Sequence, residues 1–196
     1  MTTRQYRQAR RADQAQANAD RIVSSAVELV KKTKRTADIT LDDVSRESGM
    51  TVRTILRRFG SRDGVLEAAF GQIKTEFKGH RKPTAPGDVA AAVRALLNQY
   101  ELIGEVNIRA LEQEDQLPLL HRALDEGRRS HREWLVEIFG PRLKKAPSRQ
   151  REVCLNALYA ATDVYLWKLL RRDLKLDRAA TEATFTRLVE GICTDF

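Results

Sequence analysis

Apolar residues along this chain recur at intervals of three and four, and no β-hairpin signal separates alternating runs. That rhythm predicts an all-α protein. Ile22, Val23, Ala26, Leu29 and Val30 form one stripe and mark a first amphipathic helix over 21–32. Two short helices follow. Thr40 stands as an N-cap with Asp43 three residues on, and Ile39 and Val44 flank this start at the spacing of a hydrophobic staple. Gly49 supplies a left-handed stop. Thr51 then caps a second short helix, with Met50 and Ile55 at the same staple spacing, which runs to Phe59 and stops at Gly60. Ser61 caps a fourth helix, expected over 61–82 and broken by Lys82-Pro83-Thr84-Ala85-Pro86-Gly87. Asp88 caps a helix striped by Val89, Val93, Leu96, Leu97 and Tyr100, and Gly104 is expected to separate it from another over 105–114. Leu117-Pro118 opens a long helix closed by Gly140-Pro141. The most apolar helix is expected over 153–170 and a last one over 179–193, which makes nine.

The second short helix sorts its residues by face. Val52, Ile55, Leu56 and Phe59 are expected to pack inward, while Arg53, Thr54, Arg57 and Arg58 point away. Three arginines on one exposed face, with no acid among them, repel one another. Phosphates and guanine edges would neutralise them. A merely solvated face usually alternates in sign. Two short helices across a tight glycine turn, in a basic region, form the helix-turn-helix pattern.

The charge distribution sharpens this. The 196 residues carry a formal net charge of +8, with 18 Lys and Arg against 10 Asp and Glu up to Lys82, and 17 against 17 beyond it. All the excess lies in the first two-fifths of the chain, as expected of a polyanion-binding module joined to a neutral one. Three segments are expected: a basic flexible arm over 1–18 with Arg4, Arg7, Arg10 and Arg11, a helix-turn-helix domain over 19–66, and a helical domain over 67–196. The arm either reaches into a neighbouring minor groove or trails as a weakly attracted tail.

Other chemistry is sparse. No apolar run is long enough to span a membrane, and residues 1–20 have no apolar core of the secretory kind. Cys154 and Cys193 form no CxxC pair, and His80, His121 and His131 make no zinc spacing with them. A cytoplasmic location without metal or cofactor is the expectation. Enzyme activity is not expected: Asp163 beside Tyr159, or Glu112 with Glu114 and Asp115, supplies no nucleophile–base pair, phosphate loop or metal motif.

The helix expected over 153–170 is apolar on more than one face, with Cys154, Leu158, Ala161 and Tyr165 on one stripe and Leu155, Val164, Leu166, Trp167 and Leu170 elsewhere. Burial on two sides suggests a homodimer, with Phe185, Leu188, Val189 and Ile192 of the last helix completing the interface. Polar groups on otherwise apolar faces are candidates for binding a mostly apolar ligand: Tyr100, Asn107, His131, Trp134 and Tyr159. Each also fits an ordinary satisfied core or rim position.

The segments Ile39-Thr40-Leu41-Asp42-Asp43-Val44, Ser48-Gly49-Met50-Thr51, Thr54-Ile55 and Phe59-Gly60-Ser61-Arg62-Asp63, with Leu66 after them, resemble the TetR family of bacterial transcriptional regulators. The resemblance covers about residues 22–70. Trp167-Lys168-Leu169-Leu170-Arg171-Arg172 looks like the eighth helix of some members. It implies a three-helix DNA-binding domain followed by a six-helix domain for dimerisation and ligand binding. Carried over, Thr40 and Thr51 would cap their helices and touch phosphate, Val52 and Arg53 would lie at the major-groove end of the recognition helix, and Arg62 stands where the family usually has a phosphate-binding lysine. The chain departs from the family at Leu56, commonly Tyr, at Arg58, commonly His or Tyr, and at Arg53, commonly a small residue. The function implied is a homodimeric repressor on a pseudo-palindromic double-stranded operator, released by a small apolar effector, with helix four as the lever. The alternative is an architectural protein that binds DNA with little sequence preference.

Overall fold

The computed structural model describes residues 3–80 and 84–194, and every regular element among them is helical. Eight helices have eight residues or more: α1 (Thr3–Lys32), α2 (Leu41–Ser48), α3 (Val52–Phe59), α4 (Arg62–His80), α5 (Val89–Leu111), α6 (Pro118–Leu143), α7 (Ser148–Thr162) and, after a shorter segment, α9 (Arg178–Thr194). That segment, α8 (Val164–Lys168), has only five residues and runs into a π turn over Leu169–Asp173. The expected end of the fourth helix at Lys82-Pro83 lies outside the described residues, as does the side chain of Arg4.

Several expected boundaries move. Helix α1 starts at Thr3, so the segment expected to be a flexible arm is helical from there on. Alanine, glutamine and arginine cost little in a helix. Side-chain bonds from Gln14 to Asn18 (3.1 Å) and from Gln16 to Asp20 (2.8 Å) brace successive turns. Gly104 does not break α5. A Cβ there would lie 2.5 Å from Cζ3 of Trp167, so the glycine makes room for an indole. The helix expected over 153–170 is interrupted at Asp163, whose backbone is extended (ψ 156°) and whose Oδ1 accepts from the Tyr165 N–H at 2.9 Å. An aspartate in that conformation starts a new helix instead of continuing the old one. Helix α6 runs on through Gly140-Pro141 to Leu143, because a proline in the last turn withholds only one donor.

The chain divides into two compact units. The first comprises Met1–Thr75 and Asp115–Ala123. Its buried residues include Ile22, Ala26 and Val30 of α1, Ile39, Val44 of α2, Ile55 of α3, and Val65, Leu66 and Ala69 of α4. An ion pair between Arg122 and Glu67 ties the inserted segment to α4. The unit therefore extends past residue 66, the boundary expected from the sequence, and recruits a distant piece of chain. The second unit comprises Glu76–Glu114 and Leu124–Phe196. In it α5 packs on α8 and α9, and α7 packs on α9. Leu97, Leu135, Phe139, Leu158, Phe185 and Val189 are among the side chains shut off from solvent there.

Candidate functional site

The α2–turn–α3 segment is built by its caps. Thr40 Oγ1 accepts from the Asp43 N–H at 3.1 Å, and Asp43 Oδ2 accepts from the Thr40 N–H at 2.9 Å, closing a reciprocal capping box. The hydrogen bonds from Thr40 hold the Asp43 carboxyl below its ordinary value, with Arg46 adding to the effect. The box is therefore charged and complete at neutral pH, and it weakens as acid protonates Asp43. Gly49 ends α2 at φ 67°, with its N–H on Ser45 O at 2.9 Å. A side chain there would adopt a strained left-handed conformation, and its Cβ would lie 3.1 Å from Nη2 of Arg21. Ser45 and Ser48 stitch the turn: Ser45 Oγ donates to Met50 O at 2.7 Å, and Ser48 Oγ, fully buried, donates to Val44 O at 2.6 Å. Thr51 then accepts from the Thr54 N–H at 3.2 Å to start α3.

Helix α3 presents one face to solvent. Arg53, Arg57 and Arg58 are exposed and Thr54 is half-buried; Val52 and Phe59 are half-buried on the other side of a fully buried Ile55. Leu56 corrects the sequence expectation. It is 39% exposed, because α3 is covered over a narrow arc and the position next to Ile55 falls outside it. Arg53 and Arg57 make no ion pair among the described residues, and Arg58 donates to Gln16 of α1 at 3.2 Å. Arg62 has other partners. Its Nε donates to Ile39 O at 2.5 Å, its Nη2 to Thr36 O at 2.6 Å and to Ala37 O at 3.0 Å, and its Nη1 to Asp63 at 3.0 Å. It clamps the turn before α2 onto the start of α4. Gly64, which the sequence did not single out, permits the tight α3–α4 turn: a Cβ there would lie 2.2 Å from the Phe59 carbonyl oxygen. Only a glycine three residues after the Ser61 cap hints at this.

In the second unit, four of the five candidate ligand-binding residues gather around Thr162. The Tyr100 hydroxyl donates to Thr162 O at 2.7 Å. Thr162 Oγ1 donates to Leu158 O at 2.6 Å and lies 2.9 Å from Nε2 of His131. Since the hydroxyl proton is used on Leu158, the His131 Nε2 must carry the proton of that second bond. The buried His131 ring stacks on Trp134 with centroids 5.6 Å apart and meets Tyr159 edge-on at 5.1 Å. Burial raises the Tyr159 phenol above its ordinary value, with Asp163 adding to the effect, and burial likewise raises the Asp163 carboxyl. Asn107 is half-buried on α5, two turns beyond Tyr100, and makes no hydrogen bond among the described residues. Sequence reasoning missed Thr162 and Trp167 as members of this group. Trp167 is 5% exposed, its ring centroid lies 6.2 Å from that of Tyr100, and its indole Nε1 has no partner among the described residues.

No helix among the described residues is long and apolar enough to cross a membrane. No family model matches the chain, and no curated protein matches its sequence. Solved structures do match its backbone. A transcriptional regulator from Rhodococcus sp. Rha1 superposes with a TM-score of 0.71 at 13% identity, over 90% of this chain and 96% of that one. A TetR-family transcriptional regulator from Streptomyces coelicolor superposes with a TM-score of 0.64 at 14% identity, over 89% of this chain and 80% of that one. With so few identical residues the likeness is one of architecture: this chain has the all-α fold of the TetR-family transcriptional regulators.

Proposed function

We propose that this protein is a sequence-specific, DNA-binding transcriptional regulator that acts as a homodimeric repressor and is released from its operator by a small, mostly apolar effector. The observation that carries the reading is the exposed face of α3, where Arg53, Arg57 and Arg58 stand together on a helix fixed at both ends by caps. A polyanion removes the mutual repulsion of these charges, and a duplex major groove accepts a helix of this width. Thr40 and Thr51, exposed at the N-termini of α2 and α3, are the neighbouring phosphate contacts, and Val52 with Thr54 lies at the base-facing end. In vitro selection of the purified protein against a random duplex library, at physiological salt, tests the reading. Enrichment of an inverted repeat supports it; salt-sensitive retention of every sequence would favour the architectural alternative.

Arg53 is the residue assigned to base recognition, through a bidentate bond to guanine. Arg53→Ala should relax preference at one position in each half-site, by about 1–3 kcal/mol. Uniform weakening on all duplexes would reduce Arg53 to a phosphate contact.

Dimerisation is assigned to α7 and α9, which pack together and expose Val153 (67%) and Leu188 (41%). Large exposed apolar side chains on adjacent helices suit a two-fold interface. A V153E/L188E variant should sediment as a monomer with unchanged helicity, and a variant that stays dimeric refutes this interface. The effector site is assigned to the group formed by Tyr100, His131, Trp134 and Tyr159, with Asn107 on the same α5. These side chains offer aromatic surface with few polar groups, and the Trp167 indole N–H is a donor in want of an acceptor. Effector binding shifts the DNA-bound population only through unequal affinity for two states. Helix α4, which begins in the first unit and ends in the second, is the proposed lever.

A further inference from the structure

Among the described residues of the first unit, Leu56 is the one large apolar side chain left exposed, at 39%. A lone leucine on a surface is ordinary. This one borders the arginine face of α3. At about 100° per residue, the side of α3 opposite the buried Ile55 falls between Arg53 and Arg57. Leu56 points about 60° to one side of Arg53, and half-buried Val52, one turn earlier, lies next to it on the same edge. The basic face of α3 therefore has an apolar margin.

The partner chemistry open to this residue is narrow. A leucine has no hydrogen-bonding group, so it cannot hold a phosphate or a polar base edge. Base edges in the major groove present donors and acceptors, and the thymine C5-methyl is the apolar group among them. A leucine on a helix in that groove gains by covering this methyl and excluding water from both.

We propose that Leu56 is a specificity-determining residue that reads thymine: its side chain covers the C5-methyl of one thymine in each half-site, near the guanine assigned to Arg53. The proposal rests on the DNA-binding reading above, with α3 as the helix in the groove. Cβ atoms three residues apart on a helix lie about 5–6 Å from each other, and bases along one strand step about 3.4 Å, so the thymine lies within about two base steps of that guanine. Arg53 and Leu56 then recognise different chemistry on one edge of α3, a pair of acceptors and a methyl group.

The test uses the inverted repeat obtained by selection, with each thymine replaced in turn by uracil in both half-sites. That change removes one methyl group and leaves every hydrogen-bonding group in place. One thymine position should lose about fourfold in affinity per half-site, the contribution of one buried methyl group. Leu56→Ala should bind the original repeat more weakly and should no longer distinguish thymine from uracil at that position, so the two changes do not add. Leu56→Met, which keeps an apolar side chain of similar size, should retain the distinction. With cytosine at the same position, a 5-methyl group should improve binding by the parent and not by the alanine variant. The slope of log affinity against log salt should be the same in all three proteins, because no charge changes.

Several results overturn the proposal. A parent protein indifferent to uracil at every position refutes the methyl contact while leaving the DNA-binding reading intact, and that measurement depends on no variant. A selected repeat without thymine in its half-sites does the same. Uracil sensitivity that survives in full in Leu56→Ala assigns the methyl to another side chain, such as Val52. A uniform loss of affinity in Leu56→Ala, with that sensitivity unchanged and a lower melting midpoint, reduces Leu56 to packing within α3. A parent protein that retains no duplex, or every duplex alike, refutes the reading on which the proposal stands.

Discussion

Replacing Ile55 by alanine should cost the protein the fold of its first compact unit, to which DNA binding is assigned here. The side chain is completely buried at the centre of α3, with Val44 of α2 and Ile22 of α1 among the other buried side chains of the same small unit. Truncation removes three carbons from a core that cannot collapse around them, at a cost of about 2–5 kcal/mol. A whole domain has only about 5–15 kcal/mol of net stability. The arginine face rides on α3, so affinity for every duplex should fall together, without a change in sequence preference. Thermal melting followed by circular dichroism checks the first half of this, and duplex titration the second. Ile55→Val keeps most of the contact and should cost only about 0.5–1.5 kcal/mol. An alanine variant that melts at the parent's temperature would show that this residue does not hold α3 in place.

Arg62 should prove structural. The family resemblance places a phosphate contact there, yet the guanidinium is already engaged with the carbonyls of Thr36, Ala37 and Ile39 and with Asp63. Hydrogen bonds from a charged donor are worth about 1.5–3 kcal/mol each, and they do not add in full. Arg62→Ala takes the guanidinium from three carbonyls, of which Thr36 O keeps the Ile39 N–H at 3.3 Å, and should lower stability by about 2–4 kcal/mol. Arg62→Lys should not restore it, because one ammonium group cannot span three acceptors in the geometry of a planar fork. A phosphate contact predicts the reverse: intact melting, near-complete rescue by lysine, and a salt slope shallower by about 0.9. Melting curves and salt titrations of the two variants therefore decide between the roles.

The helix-turn-helix was legible because its signals are local. Thr40 with Asp43, Gly49, Thr51 and Gly60 act through bonds within one turn, and each does in the structure what its spacing implies. The candidate ligand-binding group was legible in part. Tyr100, His131, Trp134 and Tyr159 stood out as polar tips on apolar stripes, but Thr162 carries no such signal. It is a small residue at a helix end, and only the approach of α5 and α6 makes it the shared acceptor. Leu56 shows the limit of periodicity. The stripe rule places it beside Ile55, but burial depends on how wide an arc the neighbouring helices cover.

By itself the sequence determined the helical rhythm, the caps, the positions of both short helices and the separation of charge into a basic and a neutral part. Each follows from interactions within about four residues or from composition. The tertiary structure alone decided that Gly104 receives an indole instead of ending a helix, that Asp163 divides the most apolar helix, and that Arg62 is spent inside the fold. It also decided that the basic arm is helical from Thr3. Two of these outcomes, at Gly104 and Arg62, turn on partners far away in the chain, and so does the candidate ligand-binding group: 23 residues separate Arg62 from Ile39, and 62 separate Tyr100 from Thr162. Such pairings depend on how helices approach in space, and hydrophobic spacing along one helix carries no information about which distant group will meet it.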